Sequence, residues 1–242
     1  MFKPLLFLKN ISHENPGLFL EIADAENLAY DVVDLHRGET IPDPQDYKVL
    51  IVLGGPDSAN DATPKMRAEL AFVQDWVRSG QPYLGICLGM QILVKAMGGQ
   101  VLRHPVQEIG WRDAADSFYE VTLTPEGKKD ELLSRLPAAF PIFQLHGETV
   151  TLAAGSVLLA EGRHCCHQIV RCGDRAYGIQ GHLELTPAML TEWHQKDPDL
   201  KGVDREALLR PFSLAEGKVC QAAGRQFFRL FLQNAGLLTG VA

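Results

Sequence analysis

Strand-length apolar runs alternate with helical patterns over about the first hundred residues of this 242-residue chain. The strand-like runs begin at Pro4, Tyr30, Val49 and Pro82. The third run, VLIVLGG, is short, continuous and rich in β-branched residues, as is typical of a strand buried on both faces. Because such strands need helices on both sides, the alternation predicts an α/β fold, a flavodoxin-like three-layer sandwich with a central, mostly parallel sheet.

Residues with strong conformational preferences mark the helix boundaries. Thr63 offers a capping hydroxyl, and Pro64 suits the first helical position. Apolar residues then recur at helical spacing as far as Val77, and Gly80 ends the pattern. A second helix is predicted within CLGMQILVKAMGG, which begins at Cys87 and stops at two consecutive glycines.

After Gly99 the pattern changes to shorter strands and hairpins, namely VLR, SFYEVTLT, PIFQLH, SVLLAEG, HQIVRCG and AYGIQGH. Helical patterns return at PAMLTEWHQK and in SLAEGKVCQAAGRQFFRLFLQ, after the polar stretch KDPDLKGVD. We therefore expect one domain over residues 1–242, with a core of about 1–195 and a helical C-terminal extension of about 196–242.

Charge and hydropathy exclude several classes of function. The formal net charge of -7 and the absence of a basic stripe argue against a nucleic-acid partner. No stretch approaches the roughly 20 apolar residues of a membrane span, and the first residues have no cleavage-site pattern. The five cysteines are an odd number without a compact framework, so we expect free thiols in a cytoplasmic protein.

A cysteine lies between two glycines in Gly85-Ile86-Cys87-Leu88-Gly89, where a strand is predicted to meet a helix. A nucleophile in such a tight turn needs small neighbours, and a helix N-terminus favours its thiolate. The alternative is a buried cysteine in an ordinary strand-to-helix turn, since free cysteine is usually a small core residue.

The sequence Gln180-Gly181-His182-Leu183-Glu184 directly follows the predicted strand AYGI. Its histidine is a candidate general base, and the glutamate two residues later can hold the imidazole tautomer if the backbone turns there. A surface histidine beside an unrelated glutamate is the alternative reading.

A third turn, Gly54-Gly55-Pro56, ends the strand VLIVLGG. Glycine lets main-chain amides approach a substrate carbonyl, so the turn is a candidate oxyanion hole. The alternative is a plain glycine-proline turn. A phosphate-binding loop is excluded because no Gly-Lys-Ser/Thr follows.

The order GGP, GICLGMQ and QGHLE resembles that of the class I glutamine amidotransferases, and YLGICLGMQIL is a highly specific motif of that family. The likeness covers at least residues 48–185 and extends to GGQVLRHPVQEIGW and FQLHGETVTLAAGSVLLA. Stand-alone proteins similar to the glutaminase domain of GMP synthase resemble the chain most.

The resemblance implies a role for each matching residue. Cys87 would be the nucleophile, His182 the general base and Glu184 its orienting partner, with an oxyanion hole made by the amides of Gly55 and Leu88. One departure is Leu183, where the family often has a proline that would stiffen the turn between the two reactive side chains.

The same resemblance implies a glutamine pocket that involves Gly54, Gln91, His146 and Gly147. His146 is a rival general base, but it lacks an acidic residue placed as Glu184 is, and Glu148 is its one nearby candidate.

We expect neither a metal nor a cofactor. The run His164-Cys165-Cys166-His167 has the residue types of a metal site, yet neighbours on a strand point to opposite faces and cannot converge on one ion without a loop.

The implied reaction releases ammonia and glutamate from glutamine through a γ-glutamyl thioester. The sequence shows no ATP-binding loop, so the ammonia would pass to a separate synthetase subunit. Two alternatives remain open. The chain can be a free-standing hydrolase of other small γ-glutamyl compounds, or a non-catalytic regulatory protein with the same fold, although the intact Cys87, His182 and Glu184 argue against the latter.

Overall fold

The computed structural model describes residues 3–239 and contains a nine-stranded sheet and a separate two-stranded sheet. The strands are β1 (Leu5–Lys9), β2 (Tyr30–Asp34), β3 (Val49–Val52), β4 (Tyr83–Ile86), β5 (Gln100–Gly110), β6 (Glu120–Leu123), β7 (Ala139–Pro141), β8 (Gln144–Thr151), β9 (Ser156–Gly162), β10 (Ile169–Cys172) and β11 (Ala176–Ile179). The helices are α1 (Leu18–Ala25), α2 (Pro64–Arg78), α3 (Leu88–Ala96), α4 (Pro187–Lys196), α5 (Arg205–Leu209) and α6 (Ala215–Asn234).

The large sheet has the order β2-β1-β3-β4-β11-β10-β9-β6-β7. Its first five strands are parallel, and the remaining strands pair antiparallel. We call these the parallel half and the antiparallel half. Strands β5 and β8, which are separated in sequence by β6 and β7, form the two-stranded antiparallel sheet, here called the β5–β8 ribbon.

Helices cover both faces of the parallel half. In β1, Leu5 and Phe7 join one apolar cluster while Leu6 and Leu8 join another, as alternating side chains on a strand require. The first cluster includes α1, α4 and α6, and the second includes α2 and α3. The predicted three-layer α/β fold with a mostly parallel and mixed central sheet is therefore confirmed.

The predicted helix starts and stops occur where the capping residues placed them. The Thr63 hydroxyl accepts a hydrogen bond from the Met66 amide at 3.2 Å, and α2 begins at Pro64. Beyond the helix, Gly80 adopts φ +77, the left-handed conformation that terminates helices. Gly98 does the same after α3, with φ +94.

The strands after Gly99 differ from their sequence interpretation. The short predicted strand VLR is only the start of the 11-residue β5. The run PIFQLH divides between β7, which ends at Pro141, and β8, which begins at Gln144. Apolar alternation marks single strands, and it cannot show where a chain leaves one sheet to join another.

The C-terminal segment packs into the same core as the N-terminal half. In α6, the ring of Phe228 stacks on Phe19 of α1 with centroids 4.3 Å apart. Arg225 pairs with Glu21 at 2.6 Å in the same interface. The division of the domain near residue 195 stays a prediction, and the last three residues of the predicted extension lie outside the described residues.

All five cysteines lie in the described part of the chain and are free thiols, as expected. Within residues 3–239, no helix combines the length and the apolar character that a membrane crossing requires.

Candidate active site

Cys87 occupies a strained turn between β4 and α3, with φ 50 and ψ -107. This backbone region is costly for a side chain other than glycine, and it is often found at functional sites. A Cβ on Gly85 would overlap the backbone of Gly89, and a Cβ on Gly89 would overlap the Val52 carbonyl. The glycines on both sides are therefore what allows the thiol to sit at the start of α3.

His182 and Glu184 form a buried pair at the end of β11. The Nδ1–H of His182 donates to Glu184 Oε1 at 2.7 Å, and the two side chains are 1% and 2% exposed. The chain turns there because the His182 amide donates to the Phe143 carbonyl at 2.9 Å. This turn brings the histidine and the glutamate to the same side without the proline that is frequent at position 183.

The environment of His182 favours its protonated form. Burial by itself lowers the pKa of His182, but the Glu184 carboxylate and the nearby Cys87 thiol outweigh it and hold the pKa well above its usual value. Within residues 3–239, Nε2 of His182 makes no well-aligned hydrogen bond. Because Nδ1 is committed to Glu184, Nε2 is the ring nitrogen through which Cys87 acts on the imidazole, and it is free to exchange a proton.

Two polar groups contact the sulfur of Cys87 directly. The thiol donates to the Leu145 carbonyl at 3.7 Å, and Nε2 of Gln180 donates to Sγ at 3.6 Å. Gln180 in turn accepts a bond of 3.4 Å from Gln91, another residue predicted for the site. The sequence motif contained Gln180, but its contact with sulfur could not be predicted without the fold.

The two residues predicted to supply the oxyanion amides are neighbours in the fold. The side chain of Leu88 is 3.5 Å from the position that a Cβ on Gly55 would occupy. Among the described residues, neither amide donates to another protein group. Gly54 precedes Gly55 and is buried. A Cβ added to Gly54 would be 3.4 Å from the Cβ of Cys87.

Cys87 opens into a cavity of ≈ 250 Å³. The predicted residues Gly55, Gln91, His146 and Gly147 line it together with the thiol, whereas Gly54, Leu88, His182 and Glu184 are not among its lining residues. The other lining residues are Pro56, Asp57, Ser58, Leu145, Glu148 and Asp199. The structure thus gathers most of the predicted site residues around one small pocket.

Comparison with known proteins shows which family the chain matches. Residues 23–193 match the family described as glutamine amidotransferase class-I. The chain belongs to the class I glutamine amidotransferase family.

Several relatives in this family cover much of the chain. A glutamine amidotransferase-like protein of Salmonella typhimurium, YfeJ, is 30% identical over 186 residues, which are 74% of this chain and 75% of that protein. The glutamine-hydrolysing GMP synthase of Methanoregula boonei has a subunit that is 33% identical over 58% of this chain and 67% of its own length. A γ-glutamyl-L-1-hydroxyisopropylamide hydrolase of a Pseudomonas species is 29% identical over 58% of this chain and 48% of that protein.

Solved structures of the family have the same fold. A glutamine amidotransferase from Methylobacillus flagellatus superposes with a TM-score of 0.83 at 27% identity, covering 96% of this chain and 95% of that one. One from Thermotoga maritima gives 0.82 at 25% identity, over 96% and 99% of the two chains.

The expectation that Glu148 is the one acidic candidate near His146 is wrong. Nε2 of His146 lies 2.8 Å from Oε2 of Glu108, which is 38 residues away in sequence and opposite it in the register of β5 and β8. The Nδ1–H donates to the Glu148 carbonyl at 3.0 Å, so Glu148 contributes its backbone and not its carboxylate. This class I amidotransferase therefore has a second buried histidine–glutamate pair.

One described group has the donors for a metal ion. Atoms of Glu108, His146 and Cys165 lie within 4.8 Å of one another, although the hydrogen bond of the first two already satisfies them. The run His164-Cys165-Cys166-His167, for which no metal was expected, lies in the loop between β9 and β10. Among the described residues, its side chains do not gather around one point. His164 bonds Asp113 at 3.0 Å, whereas Cys165 is buried and contacts Thr149.

Sequence reasoning also missed Glu14, which is buried beside the predicted active-site residues. Burial raises its pKa to about 7, an effect that the charge of His182 partly offsets. The segment HENPG carries a proline and a glycine that mark a loop, but nothing in it shows that the loop folds under the site.

Proposed function

We propose that this chain hydrolyses the γ-glutamyl amide of a small substrate, with glutamine as the first candidate. The sulfur of Cys87 attacks the amide carbon, and His182 gives its proton to the leaving nitrogen, which departs as ammonia or an amine. The γ-glutamyl group then remains on sulfur as a thioester. Water attacks that carbon, His182 accepts the proton of water, and glutamate leaves as the thiol is restored.

The observation that carries this proposal is the combination of a strained Cys87 with the buried His182–Glu184 pair. A free thiol is a weak nucleophile unless a cation or a base stabilises its thiolate. Here a helix N-terminus and a histidine with a raised pKa both face the sulfur. The carboxylate at 2.7 Å fixes the tautomer that leaves Nε2 for proton transfer.

The oxyanion proposal rests on two amides in neighbouring turns, of which Gly55 lines the cavity. The N–H groups of Gly55 and Leu88 come from the turns after β3 and β4, which are neighbouring parallel strands. Donors fixed at the carboxyl ends of strands can stabilise the charge that develops on the amide oxygen, without reorganising during the reaction. The thiol provides the covalent step, so the proposed chemistry calls for no cofactor.

The two versions of this function differ in what becomes of the nitrogen that leaves the substrate. The GMP synthase relative from Methanoregula supports a glutaminase that works with a separate synthetase subunit. The hydroxyisopropylamide hydrolase relative supports a self-sufficient enzyme that cleaves substituted γ-glutamyl amides. Free thiols at all five cysteines support a reducing, cytoplasmic location for either version.

The pocket lining favours neutral or cationic leaving groups in the second version. Three carboxylate side chains line it, those of Asp57, Glu148 and Asp199, and the lining includes neither lysine nor arginine. A leaving group that carries its own carboxylate, as in glutathione, would be repelled by this lining.

A hydrolysis panel tests the proposal. Purified protein is assayed for release of glutamate from glutamine, glutathione and γ-glutamyl amides of neutral and cationic amines, with and without cell extract. We expect activity that Cys87→Ala abolishes at unchanged thermal stability. Activity that survives in the variant would refute the role of the thiol. Stimulation by extract favours a synthetase partner, and full activity without it favours the self-sufficient hydrolase.

A further inference from the structure

Glu14 is a carboxyl group placed where the fold has no evident structural need for it. It lies in the loop between β1 and α1 and is 5% exposed. Within residues 3–239, its Oε2 atom is buried without a hydrogen-bond partner. Ionisation of an unpaired buried carboxyl group is unfavourable, so a purely structural role would be better served by an apolar residue.

The loop that carries Glu14 is fixed to the active-site backbone. The Leu18 amide donates to the Glu184 carbonyl at 2.8 Å, and the Trp193 indole donates to the His13 carbonyl at 3.2 Å. Gly17 has φ +49 and lies so close to Glu184 that an added Cβ would overlap its carbonyl. The carboxyl group is therefore held in place by both ends of its loop.

Gly54 separates Glu14 from the nucleophile. A Cβ on Gly54 would overlap Oε2 of Glu14 on one side and would be 3.4 Å from the Cβ of Cys87 on another. The Glu14 carboxyl group and the Cys87 side chain thus both pack against the α-carbon of Gly54, which has no side chain of its own. This explains why glycine is needed at position 54, which the sequence had suggested for substrate binding.

Charged groups of several elements surround this carboxyl group. Burial raises the pKa of Glu14 to about 7. The charge of His182 lowers this pKa, and the charge of Glu184 raises it. The titratable groups that face it are Cys87 at the start of α3, His182 and Glu184 after β11, Asp197 after α4, and Lys9 at the end of β1.

We propose that Glu14 is a positioning residue whose carboxyl group, fixed across the α-carbon of Gly54, sets the charge balance of the Cys87–His182 pair. This inference rests on the proposed thiol chemistry. A negative charge at Glu14 opposes formation of the thiolate and favours the imidazolium, so it raises the pH at which each of the two groups loses its proton.

Site-specific alkylation of Cys87 tests this without any substrate. The rate of Cys87 modification by iodoacetamide is measured by mass spectrometry against pH, which separates it from the exposed Cys166. In Glu14→Gln, we expect the midpoints of the profile to move to lower pH by about one unit, because a nearby negative charge is lost. Glu14→Asp, which keeps the charge, should restore a profile close to that of the wild type.

Glu69 supplies the matched control. It is also a buried carboxyl group whose pKa burial raises to about 7, but its partner is Asn10 at 2.9 Å. Glu69→Gln should leave the alkylation profile unchanged. An unshifted profile in Glu14→Gln, or an equal shift in Glu69→Gln, would overturn the role of Glu14. If the alkylation rate of Cys87 in the wild type followed pH as that of an ordinary free thiol does, the proposed function itself would be refuted.

A second measurement covers the case in which Glu14→Gln fails to fold. The side-chain carboxyl carbon of Glu14 is followed by NMR through a pH titration in the wild type and in Cys87→Ser. Coupling between the two groups predicts different midpoints, and identical midpoints would refute it.

Discussion

The parallel half of the sheet and the β5–β8 ribbon each place a histidine–glutamate pair near Cys87, but they do so by different means. In the parallel half, His182 and Glu184 are two residues apart and meet through a turn at the end of β11. In the β5–β8 ribbon, His146 and Glu108 are 38 residues apart and meet through strand register. The first pair is local in sequence, and the second exists only in the folded protein.

The hydrogen bonds of the two histidines separate their roles. His182 uses Nδ1 for Glu184 and leaves Nε2 without a partner in the described part of the chain. His146 uses Nδ1 for a backbone carbonyl and Nε2 for Glu108. A base needs one uncommitted nitrogen, so His182 suits proton transfer and His146 suits support of the pocket wall.

Replacing each histidine gives the largest expected contrast. His182→Ala should lower kcat roughly ten-thousandfold because the thiol loses both its counter-ion and its proton donor. His146→Ala should lower kcat far less and raise KM, since it disturbs a wall of the pocket. Pre-steady-state release of the first product measures the acylation step. A larger loss of acylation in His146→Ala would show that the two assignments are reversed.

Two glycines near the thiol, Gly89 in α3 and Gly147 in β8, differ in how tightly the surrounding atoms pack against them. In Gly89→Ala, the new Cβ would overlap the Val52 backbone, so we expect a loss of at least about 3 kcal/mol in unfolding free energy. In Gly147→Ala, the nearest atom is Cγ of Gln107 at 3.7 Å, an ordinary contact, and the loss should be about 0.5 kcal/mol or less. Denaturant unfolding measures both, and equal losses would contradict the contrast.

The same contrast explains which features could be predicted from sequence. The strands and helices up to Ala96 follow local periodicity, and Cys87, His182 and Glu184 lie in short motifs with characteristic neighbours. The pairing of His146 with Glu108 depends on a register that shifts between Arg103 and Glu108, which no local pattern encodes. Likewise, the contact of Glu14 with the site depends on how a distant loop packs.

Glu108→Gln should produce an intermediate effect. The neutral amide cannot hold the proton shared with His146, so we expect a loss of about 1–3 kcal/mol in stability and a rise in KM with a smaller change in kcat. Thermal unfolding and steady-state kinetics measure the two effects. Glu126→Gln is the control, because Glu126 is exposed and lies outside the cavity. A larger fall in kcat than rise in KM would assign Glu108 to the chemical step.

The smallest expected effect concerns two helix caps of equal geometry. Thr63 accepts a bond from the Met66 amide at 3.2 Å, and Thr186 accepts one from the Met189 amide at the same 3.2 Å. Both threonines precede a proline, but Thr63 is exposed, whereas Thr186 is buried two residues after Glu184.

The alanine variants of the two caps should therefore separate stability from activity. Thr63→Ala removes a cap on the outer face of the parallel half, so it should cost about 1 kcal/mol and leave kcat unchanged. Thr186→Ala removes an equal cap and also loosens the backbone that holds Glu184, so its similar loss of stability should come with a lower kcat. Thermal unfolding and kcat are measured for both. Equal kcat values in the two variants would show that α4 does not position the His182–Glu184 pair.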